Sequence, residues 1–283
     1  MIPESETRRL AAVQGVDLQT VDLDYALGWL LTGLFLEPEI RDNWVFKGGT
    51  SLRKCWFPEY RFSEDLDFTV IGSLELEDVK NLLGGPIEKA SRLSGIDLMA
   101  AEPRFEVDTD EYGSETVKVR LYHRSTIDRS GSPQAVRIHL SSDEVIALPV
   151  TRRSLDHPYS DVPAMPALEI PCYCLEEILA EKLRAVGGQR RFAIARDVFD
   201  INHLLTTEVD IDLVFSILSD KFAVKQLTIH PAMVDAFVQR RADYRMDWHR
   251  RVEHLETGEL TNFDAAFQTV AELLGRIVEW HKL

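Results

Sequence analysis

Lys47-Gly48-Gly49-Thr50-Ser51-Leu52-Arg53, followed closely by Arg61-Phe62-Ser63-Glu64-Asp65-Leu66-Asp67-Phe68, is the stretch on which the reading of this chain turns. It sets a Gly-Gly turn, a hydroxyl pair and two alternate carboxylates within about one helix-and-strand unit. Leu66, Phe68 and Val70 alternate with Asp65, Asp67 and Thr69, the period of an extended strand. Period two sends both carboxylates to one face, with Cβ atoms roughly 6–7 Å apart. Two hard oxygen donors at that spacing suit Mg²⁺. The Gly-Gly turn and the start of the next helix offer backbone N–H groups to a phosphate. Glycine permits a positive φ or close approach, and Thr50 and Ser51 add hydroxyl donors or cap the helix. Arg53, just inside that helix, either reaches phosphate or pairs with Glu64. Ser63 shares the face of Asp65, where a phosphate placed on it would repel the carboxylates. Metal plus phosphate cradle is the minimal kit for nucleotidyl transfer.

The chain has 283 residues, 45% hydrophobic and 28% charged, ordinary for a globular protein with a sizeable core. The longest apolar run, Ala26 to Leu36, is too short to span a bilayer. The N-terminus carries Glu4, Glu6, Arg8 and Arg9 and lacks an apolar signal core. Cys55, Cys172 and Cys174 make a poor disulfide framework. A cytoplasmic protein with no membrane contact is expected. The net charge of −15 argues against a general nucleic-acid binder, which shows a basic footprint. Basic residues cluster locally: Arg152 and Arg153; Lys182, Arg184, Arg190, Arg191 and Arg196; and Arg240, Arg241, Arg245, Arg250 and Arg251. Such patches suit a nucleotide or a short polynucleotide end.

Along the chain, residues 4–16 and 22–38 read as helices, with Asp22 or Asp24 as a cap. Trp44 to Phe46 is a short strand, Thr50 to Trp56 a helix stopped by Pro58, and Asp65 to Ile71 the carboxylate strand. Leu74 to Ser94 reads as a helix in two parts, broken by Gly84-Gly85-Pro86. Thr116 to Tyr122, Ala135 to Leu140 and Ile146 to Val150 are strand candidates, with a turn at Ser130-Gly131-Ser132-Pro133. Pro158 to Pro171 is a Pro-rich connector. Beyond Leu175 the pattern is helical: Leu175 to Gly188, Ile194 to Leu205, Ile211 to Phe222, Ala232 to Leu255 and Phe263 to Trp280.

The two motifs resemble those of the AbiEii/AbiGii nucleotidyltransferase toxin family, the toxin half of type IV toxin–antitoxin and phage-defence operons, related to the mycobacterial MenT toxins. Gly48 to Leu52 and Arg61 to Asp67 carry the likeness. Leu175 to Ala185 and Ala195 to Ile201 match two further blocks in the same order. The resemblance implies an α+β fold: a nucleotidyltransferase-like mixed sheet with flanking helices, plus a C-terminal helical bundle. It implies a catalytic domain over residues 1–165 and a helical domain over 166–283 that contributes Lys182 and Asp197 to the cleft. It implies Mg²⁺ on Asp65 and Asp67, NTP as substrate, and catalytic roles for Ser63, Lys182 and Asp197. Gly48, Gly49, Thr50, Ser51, Arg53, Lys182 and Arg196 would bind the nucleotide. The implied acceptor is the 3′ end of tRNA, and the implied partner is a cognate antitoxin that forms no stable complex. Bland readings stand beside these: Lys182 snorkelling from an apolar face, Asp197 paired with Arg191 or Arg196, and the basic clusters as solvated helix faces; Asp200 and Arg196 lie open between the two.

One departure from the pattern matters. Relatives in the superfamily usually present a third acid on a neighbouring strand, and here Val136 to Leu140 offers His139. Histidine serves as a base near neutral pH but is a poor ligand for a hard cation. Two other functions remain open at this stage: transfer to a protein side chain, which the acidity favours slightly, and a nucleotide-binding defence module without turnover.

Overall fold

The computed structural model describes residues 1–110, 112–127, 131–257 and 260–282; Ser130 of the expected turn lies outside them. The chain divides into two compact units. The first comprises Met1–Asp143 and Val150–Cys172, the second Glu144–Pro149 and Tyr173–Leu283.

The first unit is built on a seven-stranded mixed sheet, among the described residues, in the order β3-β4-β5-β2-β1-β7-β6. Its strands are β1 (Trp44–Lys47), β2 (Asp65–Val70), β3 (Arg104–Thr109), β4 (Glu115–His123), β5 (Gln134–Ser141), β6 (Thr151–Ser154) and β7 (Glu169–Cys172). β2 runs parallel to β5 and β1 parallel to β7, while the other pairs are antiparallel. The expected mixed sheet is therefore present. β3, β6 and β7 were not foreseen, and β7 occupies the end of the Pro-rich connector. Ile170 and Pro171 are buried there.

Helices α1 (Glu4–Gln14), α2 (Leu18–Phe35), α3 (Pro38–Asn43), the short α4 (Gly48–Ser51) and α5 (Leu76–Ser94) belong to this unit. Phe35 of α2, Trp44 and Phe46 of β1 and Phe68 of β2 form one aromatic cluster, with ring centroids 5.1–5.9 Å from Phe68. That cluster takes up the apolar alternation of β2 and leaves its carboxylates on the opposite face.

Two helix readings need correction. α5 is continuous through Gly84-Gly85-Pro86. Its carbonyl at Pro86 and the methyl of Ala90 lie against Gly33 of α2, where a Cβ would fall 2.4 Å and 2.6 Å from them. A close helix contact holds a proline turn that propensity alone would break. Nor do Asp22 or Asp24 cap α2, which starts at Leu18. Asp24 is buried and accepts from Arg53 Nε (2.9 Å), Lys54 Nζ (2.6 Å) and the Tyr159 hydroxyl (2.7 Å). Burial opposes its charge, but Lys54 and Arg53 outweigh it and hold its pKa well below the usual range.

The second unit holds α6 (Leu175–Arg184), α7 (Ala195–Leu204), α8 (Ile211–Ala223), α9 (Ala232–Gln239), α10 (Arg241–Arg251) and α11 (Phe263–Trp280). The helix read over Ala232 to Leu255 is thus two, parted at Arg240. Phe237 stacks on Phe267 within this bundle, and the Tyr244 ring meets both at a tilt. The segment Glu144–Pro149 is not a strand. The Ala147 and Leu148 N–H groups donate to the Glu177 carboxylate at 2.9 Å and 2.7 Å, and Arg184 holds both Glu144 oxygens at 2.8–2.9 Å. Side chains of α6 satisfy backbone that a sheet partner would otherwise satisfy. Among the described residues, no helix is long and apolar enough to cross a membrane.

Candidate active site

β1 delivers the chain into Gly48, whose φ is +79°, a conformation that side chains other than glycine's rarely adopt. The position also lacks room. A Cβ on Gly48 would lie 2.5 Å from Asp67 Oδ2, and one on Gly49 would lie 3.0 Å from Ser63 Oγ and 2.9 Å from the Arg61 guanidinium. The two glycines let the turn close over the carboxylate strand. Gly48, Gly49, Ser63 and Asp67 are thereby brought together, as the spacing of the two motifs suggests.

Asp65 and Asp67 share one face of β2, with side chains 20% and 34% exposed. β5 lies parallel alongside, and its register sets Arg137 beside Asp65 and His139 beside Asp67. Arg137 Nη1 is 3.4 Å from Asp65 Oδ1, and His139 Nδ1 is 3.0 Å from Asp67 Oδ1. The strand beside the carboxylates therefore presents a histidine, not a third acid, in hydrogen-bond contact with Asp67. Burial works against a charged His139, but the bond to Asp67 and the charges of Asp67 and Asp65 prevail and raise its pKa above the ordinary value. Arg137 was not foreseen. The alternation of β5 would have found it, since Arg137 and His139 share a parity.

Three expected phosphate contacts are not made available here. The Thr50 hydroxyl donates to the Asp65 carbonyl at 2.5 Å and that of Ser51 to the Gly48 carbonyl at 2.9 Å. Both side chains are buried; the Thr50 hydroxyl pins the turn to the start of β2, and that of Ser51 closes the turn on itself. Arg53 is buried too. It pairs with Asp24 instead of Glu64, donates to the Tyr60 carbonyl and stacks on Phe62 at 3.5 Å. The nucleotide contact assigned to Arg53 is withdrawn, because its guanidinium is committed inside the first unit.

In the second unit, Lys182 of α6 donates to Asp197 Oδ1 at 2.6 Å and lies 2.9 Å from Asp200 Oδ2, both on α7. Arg190 Nε lies 2.8 Å from Asp197 Oδ2. The pair expected between Asp197 and Arg191 or Arg196 is replaced by Arg190 and Lys182. Asp197 and Asp200 are 2% and 0% exposed, and Lys182 15%. Burial pushes the Asp197 carboxyl up, while Arg190 and Lys182 pull it further down, so its pKa sits below the usual value. Arg196 is half-buried on the same helix.

No group of three or more potential metal ligands exists among the described residues. The donor set of Asp65 and Asp67 nevertheless fits Mg²⁺, which takes one or two carboxylates and completes its shell with water and substrate phosphates.

The family model described as nucleotidyl transferase AbiEii toxin, type IV TA system, matches residues 29–269. The chain belongs to this family. As an AbiEii nucleotidyltransferase toxin it also shares its fold with a solved structure, MenT4, a nucleotidyltransferase toxin from Mycobacterium tuberculosis H37Rv. The TM-score is 0.63, covering 98% of this chain and 90% of that one, at 23% identity. No curated protein sequence matches.

Proposed function

We propose that this AbiEii toxin transfers a nucleoside monophosphate from an NTP to the 3′ end of tRNA, with a divalent cation on Asp65 and Asp67, and so blocks translation. A 3′-hydroxyl oxygen of the acceptor attacks the α-phosphorus. The bond from that phosphorus to the bridging oxygen of the β-phosphate breaks, and pyrophosphate leaves. A bound Mg²⁺ would neutralise the triphosphate. The chain's own part is positioning and charge. The Gly48 turn brings the backbone down onto Asp67, and His139 fixes the orientation of that carboxylate. The hydroxyl proton passes to this acidic face, where His139 stands next in line. Ser63 borders the same turn. In the second unit the Lys182 ammonium, braced by Asp197 and Asp200, is the group assigned to the nucleotide on the strength of its motif. In a type IV pair the antitoxin would counter the effect of the toxin without a stable complex.

One observation carries the reading: two half-exposed carboxylates on one strand face, with a glycine turn over the second at a position where a Cβ would fall 2.5 Å from Asp67 Oδ2. Incubation with Mg²⁺, each α-labelled NTP in turn, and total tRNA or cell protein tests it. Label on RNA supports the proposal. Label on protein supports the second reading, which the net charge of −15 favours. Nucleotide binding without transfer would leave a non-catalytic defence module.

A further inference from the structure

The basic clusters seen along the sequence are largely neutralised in the fold. Arg241 and Arg245 pair with Asp264, Arg240 is held by the Arg190 and Arg191 carbonyls, and Arg184 is held by Glu144. A different set lies together on the sheet. Register aligns Arg104 of β3 with Arg120 of β4, Arg120 with Arg137 of β5, and Arg137 with Asp65 of β2. Three arginines on adjacent strands thus form one row leading to the first carboxylate, about 14 Å from end to end at the usual strand spacing. All three are exposed.

The next row differs. Glu106, Lys118, His139 and Asp67 set acids at both ends around two basic groups, and Lys118 pairs with Asp108. Like charges directly opposed across strands destabilise a sheet, so the arginine row carries a cost that its neighbour avoids. Its internal compensation is slight. Arg137 reaches Asp65 only at 3.4 Å, and Arg104 lies 5.9 Å over the Tyr122 ring. Tyr122 shares the parity of Arg120 and so the same face. Cations interleaved with an aromatic on an open sheet face are how single-stranded nucleic acid is held, phosphates on the cations and a base on the ring.

We propose that Arg104, Arg120 and Arg137 form a phosphate track for the single-stranded end of an RNA acceptor, with Tyr122 as a stacking platform. This rests on the reading of Asp65 and Asp67 as the transfer site, toward which the track leads, and favours RNA over protein as acceptor. Anisotropy of a labelled single-stranded RNA of about twelve nucleotides, titrated with the full chain across a salt series, tests it. The double variant Arg104→Ser/Arg120→Ser should bind about tenfold more weakly. Its slope of log affinity against log salt should be shallower by about 1.4, two single-strand phosphate contacts. Arg104→Lys/Arg120→Lys should keep the slope, and Tyr122→Leu should lower affinity with the slope unchanged. Affinity for a non-transferable NTP analogue should not move in any of them. The track is overturned if the serine variant binds RNA with the wild-type affinity and slope, or if the wild-type chain does not bind RNA, including the case in which it labels protein. Wild-type RNA binding that follows these expectations, with no transfer from any NTP, would refute the proposed activity and leave the track standing.

Discussion

The two charged groups singled out by the sequence are built on opposite plans. In the first unit Asp65 and Asp67 stand half-exposed on a strand face, touched at their margins by Arg137 and His139. In the second, Lys182, Asp197 and Asp200 are almost withdrawn from solvent and close upon one another within 2.9 Å. The contrast separates readiness for a ligand from structural commitment. A half-exposed carboxylate pair can take up a cation at little cost to the fold. A buried ion cluster has to stay balanced, since removing one partner strands the others in a poor solvent for charge. Sequence reading alone expects Asp65→Ala and Lys182→Ala to act alike, silencing the toxin while sparing the fold. Burial of the two aspartates beside Lys182 makes them differ.

That difference can be broken or sharpened by five variants. The largest effect is expected for Asp67→Asn: nucleotidyl transfer falls at least about a hundredfold, some 2.7 kcal/mol of barrier. Thermal unfolding stays within about 0.5 kcal/mol of wild type, because the site is half-exposed. An unchanged rate would detach the strand face from the chemistry. Next comes Lys182→Met, which takes the shared ammonium from two buried carboxylates, with Arg190 still beside Asp197, and should destabilise the chain by about 2 kcal/mol in denaturant titration. Full stability in that variant would show that the cluster is not the structural element described here. Third, Gly48→Ala forces a side chain into a φ of +79° and against Asp67. It should cost about 1–2 kcal/mol and reduce transfer as the carboxylate is displaced, whereas Gly84→Ala, with open space around it, should be neutral or slightly stabilising.

The smallest effect concerns pH. The folded His139 pKa is raised, so the folded state binds the proton more tightly than the unfolded chain. The resulting stability is fully present below about 6.5, the unfolded value, and is lost as pH rises through the higher folded value. The difference in unfolding free energy between wild type and His139→Gln should therefore shrink with rising pH across that window, by under about 1 kcal/mol for a partly exposed pair. A flat difference would mean that the Asp67 contact does not hold the proton.

These regions also show what a sequence exposes and what it hides. The carboxylate face was legible because strand alternation is local: Leu66 and Phe68 had to go inward, so Asp65 and Asp67 had to go outward. The diglycine turn was legible for the same reason. His139 was half legible: its parity could be read, but its place beside Asp67 required the parallel pairing of β5 with β2. Partners separated across elements were hidden. Nothing local joins Lys182 to Asp200, Arg53 to Asp24, or Arg104 to Arg120 and Arg137. The unbroken α5 was hidden because its proline turn is supported by Gly33 from another helix. Thr50 and Ser51 were read as ligand donors because a hydroxyl beside a glycine turn looks the same whether it faces a phosphate or the Asp65 carbonyl.

The most direct test of the central claim is anomalous diffraction from crystals grown with Mn²⁺ and a non-transferable NTP analogue. The account predicts an anomalous peak within coordination distance of the Asp65 and Asp67 carboxylates, with the triphosphate beside the Gly48-Gly49 turn. Nucleotide and metal bound elsewhere, with the contacts of Arg137 to Asp65 and of His139 to Asp67 unchanged, would contradict it.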